Sequence, residues 1–411
     1  MKKLLHEVNL KIFIPSCLVL IALIAILFFN LDGADETITK IYDFCTEKFG
    51  WLYLVACIVS FGFGIYLSSS RFGKVKLGEK DEKPQFSNIS WIAMLFTAGV
   101  GTSIVILGFL EPIYYVSSPP FLIEPMSETA YEYAHMYGQF HWGFSAWAFY
   151  SPAIIAVAYM MYVRKNASIR LSSACSIMLK KHADGFLGCL IDIVVVFGIV
   201  ASIATSLGIG TPVLADIIMK VFSIPKAHAF TVRLAVLVIW ILIFGTSVYL
   251  GLDKGIQRLS NINIVMAFVF MLILVFTGPT VDILKMEINS AGLYVQEFFR
   301  MSTYTQPFGS GEFTKNWTVF YWGWWIAFMP MMGIFVGKIS RGRTIRSVMW
   351  GQLIWGSLGC CFSFMVFGGY SLYLQKSGIV DLVSILNSQG QSAAVIAILE
   401  TLPMAKIMML F

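Results

Sequence analysis

Apolar runs long enough to cross a bilayer recur along this chain, separated by loops whose charge alternates in sign. Ten such segments are predicted, near residues 12–30, 50–69, 90–116, 138–163, 186–213, 229–251, 259–279, 317–337, 347–375 and 393–411. Lys2, Lys3 and Lys11 precede the first, and Arg71, Lys74, Lys76, Lys80 and Lys83 follow the second. Arg164, Lys165 and Arg170 follow the fourth, Lys254 and Arg258 lie between the sixth and seventh, and Lys338, Arg341, Arg343 and Arg346 follow the eighth. The opposite loops lean acidic. Residues 31–49 carry Asp32, Asp35, Glu36, Asp43 and Glu47 against Lys40 and Lys48, and 117–137 carry Glu124, Glu128 and Glu132 with no Lys or Arg. One parity fits every basic loop, so the positive-inside rule places the N-terminus and those loops in the cytoplasm. Lys2 and Lys3 before a long apolar run read as an uncleaved first span.

Two stretches depart from this pattern. In 281–302, Ile283, Leu284, Met286, Ile288, Leu293, Val295 and Phe298 are interspersed with charges. That composition reads as an amphipathic helix lying along the outer surface, or as a plain loop with helical propensity. Near the end, Glu400 to Pro403 falls inside an expected span and the sequence stops at Phe411 in mid-span, so a C-terminally truncated chain is expected.

Composition narrows the class. Of 411 residues, 58% are hydrophobic and 13% charged, about half the charge fraction of soluble domains. The chain is therefore an integral membrane protein. Its net charge of +6 follows from the basic loops and gives no reason to invoke nucleic acid. The seven cysteines form no CxxC pair and lie mostly in apolar stretches, so they read as small core residues. Phosphate loops, metal-ligand spacings, nucleophile motifs and paired acid–base carboxylates are all missing, which argues against an enzyme.

The most distinctive stretch runs from Asn316 to Trp325 and holds Trp317, Trp322, Trp324 and Trp325. On a helix, Trp324, Trp325 and Phe328 fall within an arc of roughly 100°, with Tyr321 and Trp317 on the same side and Trp322 opposite. Ring faces carry partial negative charge, so a stripe of them inside a membrane suits a cation without an ammonium proton. An interfacial aromatic belt is the competing reading for Trp317 and Tyr321. In the fourth segment, Trp142, Trp147 and Tyr150 span roughly 140° of a helix, enough for one wall of a pocket or for ordinary packing. His141 beside them reads either as a proton relay or as a hydrogen-bonded structural residue. The third segment carries Gly99-Val100-Gly101-Thr102-Ser103, then Glu111-Pro112. Glycines there permit a spanning helix to unwind and expose carbonyls to an ion, and Gly99 and Ser103 also have small-xxx-small spacing. Glu111, beside a proline at the outer end, reads as structural or gating. Asp192 and the hydroxyls Thr205 and Ser206 complete the polar groups of the fifth segment.

The decamer 316–325 resembles the signature of the betaine/choline/carnitine transporter (BCCT) family position for position. Lys338 to Arg346, Gly99-Val100-Gly101, Glu111-Pro112, His141-Trp142, Thr205 to Gly208, Gly278-Pro279-Thr280 and Leu402-Pro403 also look like the family. The resemblance implies an all-α membrane fold of two inverted five-helix repeats, the sodium-symporter-like arrangement, with the second incomplete. Residues 1–89 would hold two helices outside the repeats, 90–280 the first repeat, 281–302 the surface helix and 317–411 the partial second repeat. It implies a secondary active transporter of small quaternary-ammonium compounds (glycine betaine, carnitine, choline) working by alternating access in the cell membrane. A receptor that binds such ligands without moving them is the alternative.

By resemblance, Trp142, Trp147, Tyr150, Trp324, Trp325 and Phe328 bind substrate, and Trp322 and Tyr321 line the pathway or gate. Gly99, Val100, Gly101, Ser103 and Met332 would belong to the unwound helix and ion coupling. The implied partners are the substrate and the bilayer, with a homotrimer as the assembly, no cofactor, and Na+ as a coupling ion. Three positions depart from the family's patterns. Ser103 stands where betaine carriers have a third glycine, and Phe328 where Trp or Tyr is usual. Met332 matches the Met of sodium-independent exchangers, whose accompanying Arg is replaced by Asn263.

Overall fold

The computed structural model describes residues 9–29, 31–99, 102–166, 170–251, 255 and 257–410. Within them the chain is helical, with one isolated bridge between Lys76 and Thr344. Lys2, Lys3, Val100, Gly101 and Lys254 lie outside the described residues. In chain order the helices are α1 (Leu10–Phe29), α2 (Leu31–Ser69), α3 (Asn88–Gly99), α4 (Thr102–Ser117), α5 (Glu128–Trp142) and α6 (Phe144–Tyr162). Next come α7 (Phe186–Phe222), α8 (Ala229–Tyr249), α9 (Gln257–Thr277), α10 (Thr280–Thr303) and α11 (Phe320–Ile339). The last are α12 (Ile345–Gly351), α13 (Ser357–Lys376), α14 (Leu382–Gln389), α15 (Gln391–Glu400) and α16 (Ala405–Leu410). Two π-helical turns, Thr314–Val319 and Gln352–Gly356, lead into α11 and α13.

Among the described residues, eight helical runs are long and apolar enough to cross a membrane. Ten segments were expected; the third and tenth contain shorter apolar helices, Ser103–Ser117 and Gln391–Glu400. The tenth breaks at Thr401 because Pro403 cannot donate a backbone bond and disfavours helix at the residue before it, and Met404 then turns left-handed at φ 52°. Helices α1, α8 and α9 are apolar all round and bury little of their surface, which requires an apolar solvent. The protein is an all-α, multi-pass membrane protein.

The chain forms two compact units. The first comprises Met1–Phe86, Ala148–Ala204 and Ser302–Trp350; the second comprises Ser87–Trp147, Thr205–Met301 and Gly351–Phe411.

In the first unit, α11 is approached closely on three sides through small residues. A Cβ at Gly333 would lie 2.8 Å from that of Ala153, and one at Gly337 would lie 3.5 Å from Ala158 N. Their four-residue spacing puts both on one face, where small residues let backbones meet. Gly198 of α7 faces Ala327 in the same way, and Gly50 of α2 faces Val319. At the basic end, the loop after α2 is strapped to the loop after α11. Leu77 N donates to Arg343 O at 2.8 Å, Gly342 N to Leu77 O at 2.7 Å, and Arg346 Nε to Ser68 O at 2.7 Å. Gly342 sits at φ 80°, with Lys83 O only 2.4 Å from where a Cβ would stand, so glycine is required there. At the other end Lys315 pairs with Asp43 at 2.7 Å.

In the second unit, α13 forms the centre, against α4 and α5. Its packing is ring into notch. Phe364 fills the space over Gly138, Phe367 that over Gly108, and Phe96 that over Gly359. The α10 helix is the amphipathic element expected at 281–302. Ile283, Ser290, Tyr294, Glu297 and Met301 are buried at helical spacing, while Ile288, Val295 and Phe299 are exposed. Two polar pairs dock it on α5: Gln139 Nε2 donates to Glu287 Oε2 at 2.7 Å, and His135 Nδ1 meets Ser290 Oγ at 2.6 Å.

Burial at this seam pushes the Glu287 carboxyl up to about 7, against a smaller opposing effect of the Gln139 hydrogen bond. An acid with a raised folded value binds protons more readily folded than unfolded. Its support is complete below the ordinary value of 4.5 and is lost as pH rises through about 7. The thermal midpoint is therefore expected to be higher near pH 5 than near pH 8, with Glu287→Gln shrinking that difference. An unchanged difference in the variant would assign it to another group.

Candidate functional site

The ring stripe expected in the eighth segment lies in the first unit. Trp324 and Trp325 stack at 5.3 Å between centroids and 8° between planes. Tyr321 stacks on Trp325 at 5.7 Å and 19°, and on Trp324 at 6.0 Å and 15°. Trp317 continues the series at 6.4 Å and 22° from Tyr321. Four near-parallel rings thus share one orientation, and Tyr321, Trp324 and Trp325 are 0%, 7% and 6% exposed. Trp317 lies within the π-turn Thr314–Val319. Each stacked pair is worth ~0.5–1.5 kcal/mol beyond its buried area, so the rings hold one another in place. The outcome is a mutually buttressed set of weakly negative ring faces.

Phe328, expected on the same face, is half-buried one turn further on. Trp322 points away from the stack, as its helical position requires. It is fully buried and packs on Phe149 of α6 at 5.5 Å. Tyr150, on the same helix as Phe149, is also buried. So is Met332.

In the second unit the structure secures Trp142 and Trp147 by different means. Trp142 Nε1 donates to Glu111 Oε1 at 2.7 Å, and its ring lies 5.9 Å from Phe364. Trp147 lies flat over Gly356, where a Cβ would stand 2.3 Å from its Cδ2, and its indole hydrogen-bonds the Cys360 thiol. Gly143 ends α5 between them; a Cβ there would meet Gln139 O at 2.5 Å, so the chain turns where only glycine fits.

Glu111, read from the sequence as structural or gating, is enclosed. It is 0% exposed, and its second oxygen accepts from Tyr115 Oη at 2.7 Å. His141 Nδ1 lies 2.9 Å from that same phenol oxygen. Sequence reasoning missed the link because Glu111 and Trp142 are 31 positions apart; the only signal was a carboxylate and an indole N–H that both need partners in apolar surroundings.

The remaining candidates divide. Gly99 ends α3 and a buried Ser103 opens α4, while Val100 and Gly101 fall outside the described residues. Asp192 is buried as an acceptor for Ser172 N at 3.1 Å and Ser172 Oγ at 2.7 Å, with Arg170 at 3.6 Å, which caps the short helix Leu171–Ala174. Thr205 and Ser206 are half-buried on α7. Asn263 opens onto an apolar cavity of about 280 Å³ lined by Ile106, Val213, Phe270 and Leu399. Among the described residues no cluster of His, Cys, Asp or Glu has the makings of a metal site.

Comparison with known proteins accords with these features. A family model described as BCCT, betaine/carnitine/choline family transporter, matches residues 11–411. A carnitine transporter of Acinetobacter baumannii is 37% identical over 355 residues, 86% of this chain and 63% of the relative. The glycine betaine transporter OpuD of Bacillus subtilis is 39% identical over 358 residues, 86% of this chain and 69% of the relative. The uncharacterized transporter YeaV of Escherichia coli is 36% identical over 350 residues, 85% of this chain and 72% of the relative. The chain thus spans somewhat under two thirds of the first of these and about seven tenths of the other two. With a signature-bearing helix, an all-α membrane fold and a match from residue 11 to residue 411, the chain belongs to the betaine/carnitine/choline transporter family.

Proposed function

We propose that the protein is a secondary active transporter of small quaternary-ammonium compounds, glycine betaine and carnitine foremost, working by alternating access. The observation that carries this reading is the buried parallel stack of Tyr321, Trp324 and Trp325 within an apolar helix. A trimethylammonium group has no proton to donate and is large and weakly hydrated, so ring faces suit it better than a carboxylate. Trp324, Trp325 and Phe328 supply such faces in the first unit. Family resemblance assigns Trp142, Trp147 and Tyr150 to the same task, and Tyr321 and Trp322 to the pathway. The names of the A. baumannii and B. subtilis relatives, carnitine and glycine betaine transporters, support the substrate class.

Sodium is the coupling ion this reading favours, with Gly99, Val100, Gly101 and Ser103 near its path and Met332 pointing instead to exchange. The protein is a cell-membrane protein in this reading, and the basic loops around Lys76, Lys165 and Arg341 support a cytoplasmic N-terminus. The two repeats, 90–280 and 317–411, and a homotrimeric assembly complete the proposal.

The test is counterflow. Proteoliposomes preloaded with unlabelled glycine betaine should accumulate the radiolabelled compound, faster with a sodium gradient than with potassium. Betaine-dependent Trp fluorescence changes without accumulation would identify a receptor and overturn transport.

A further inference from the structure

Glu111, Tyr115, His141 and Trp142 form one hydrogen-bonded chain inside the second unit, and the first three are 0% exposed. Their chemistry constrains where protons stand. An indole only donates, so Glu111 Oε1 accepts from Trp142 in every state. A phenol has one proton, so Tyr115 donates either to Glu111 Oε2, 2.7 Å away, or to His141 Nδ1, 2.9 Å away. With Glu111 ionised, Tyr115 donates to Oε2 and His141 donates from Nδ1 to the phenol oxygen. With Glu111 protonated on Oε2, the carboxyl donates to the phenol oxygen, Tyr115 donates to Nδ1, and His141 carries its proton on Nε2. One set of heavy-atom positions serves both states.

We propose that His141, Tyr115 and Glu111 form a proton relay within the membrane, with Glu111 as a proton-binding site. A proton taken up at His141 Nε2 displaces the Nδ1 proton to the phenol oxygen, and the phenol proton passes to Glu111 Oε2. The sum is one proton gained by the carboxylate, with imidazole and phenol each neutral before and after. The site is tied to the ring that receives its other oxygen. Charge-assisted hydrogen bonds are about twice as strong as neutral ones, so protonation loosens the hold on Trp142. Only this last link rests on the transport reading above.

Groups from several helices surround this chain of bonds. Tyr137 on α5 lies 5.3 Å from the His141 ring and 6.2 Å from that of Tyr115. From α13 come Phe364, against Trp142, and Cys361, beside Gly143. On α10, Glu287 is bound to Gln139 and Tyr294 packs on Phe140. From α15, Gln391 donates to Tyr114 and Glu400 is paired with Lys220.

Infrared difference spectra of the purified full chain across a pH titration test the site. A carboxylic C=O band should grow as pH falls, persist in Glu287→Gln and vanish in Glu111→Gln, which keeps the shape of the side chain. In Tyr115→Phe, which cuts the relay, deuterium exchange of that band should slow by at least about tenfold. Absence of a titrating band that Glu111→Gln removes would overturn the proton site, and unchanged exchange in Tyr115→Phe would overturn the relay. If betaine does not bind at all, the transport reading fails while the infrared result still decides the relay.

Discussion

Trp325→Leu is expected to remove measurable binding of glycine betaine while leaving the protein folded. Each ring face contributes ~0.5–2 kcal/mol to a quaternary ammonium, more as water is excluded. Trp325 stacks on both Trp324 and Tyr321, so its loss also frees two neighbours that it holds in register. Losing one direct contact together with that order amounts to at least about a tenfold to hundredfold loss of affinity. Leucine keeps the helix and the apolar volume, so expression and helical circular dichroism should be retained. Trp325→Phe, with a smaller ring in the same place, should lose less. Equal affinity in the wild type and Trp325→Leu, measured by calorimetry or radioligand binding, would remove the ring platform from the binding site.

Gly356→Ala should displace Trp147. A Cβ at this position would stand 2.3, 2.4 and 2.6 Å from three atoms of the indole, and the ring is 1% exposed. Overpacking of a filled core costs about 1–3 kcal/mol, so the thermal midpoint should fall. Gly359→Ala is the control, because its Cβ would strike Phe96 at 2.0 Å and leave Trp147 alone. Both variants should lose stability, and only Gly356→Ala should weaken betaine binding beyond its stability cost. Equal effects on binding would mean that Trp147 has no part in recognition.

Pattern carried much of the fold. Eight of the ten expected segments coincide with apolar helical runs long enough to span, because backbone groups in lipid leave little choice but helix. The amphipathic segment 281–302 was readable for a related reason, since charges between apolar residues at helical spacing permit one buried face. What depends on local backbone was less visible. A wheel at ideal pitch put Trp317 and Tyr321 on the side of Trp324 and Trp325, where the rings are near-parallel, but gave no sign of the π-turn at Thr314–Val319. A π-turn leaves no recognisable residue type, so periodicity alone does not reveal it.

The site shows the same division more sharply. The candidate aromatic residues were legible from 316–325 and from Trp142 to Tyr150. What orients them was not. Trp142 is held by Glu111 and Trp147 by Gly356 and Cys360, partners 31, 209 and 213 positions away along the chain. A glycine that makes room for an indole looks in sequence like any small residue in a membrane helix.

By itself, the amino-acid order determined the solvent, the helices and the family, because hydropathy, loop charge and a contiguous signature are local properties of the chain. Only the tertiary structure decided that Glu111 is enclosed and bonded to an indole and a phenol, and that four rings share one plane direction. Those facts depend on close approach between distant segments, where a few tenths of an ångström separate a hydrogen bond from a gap.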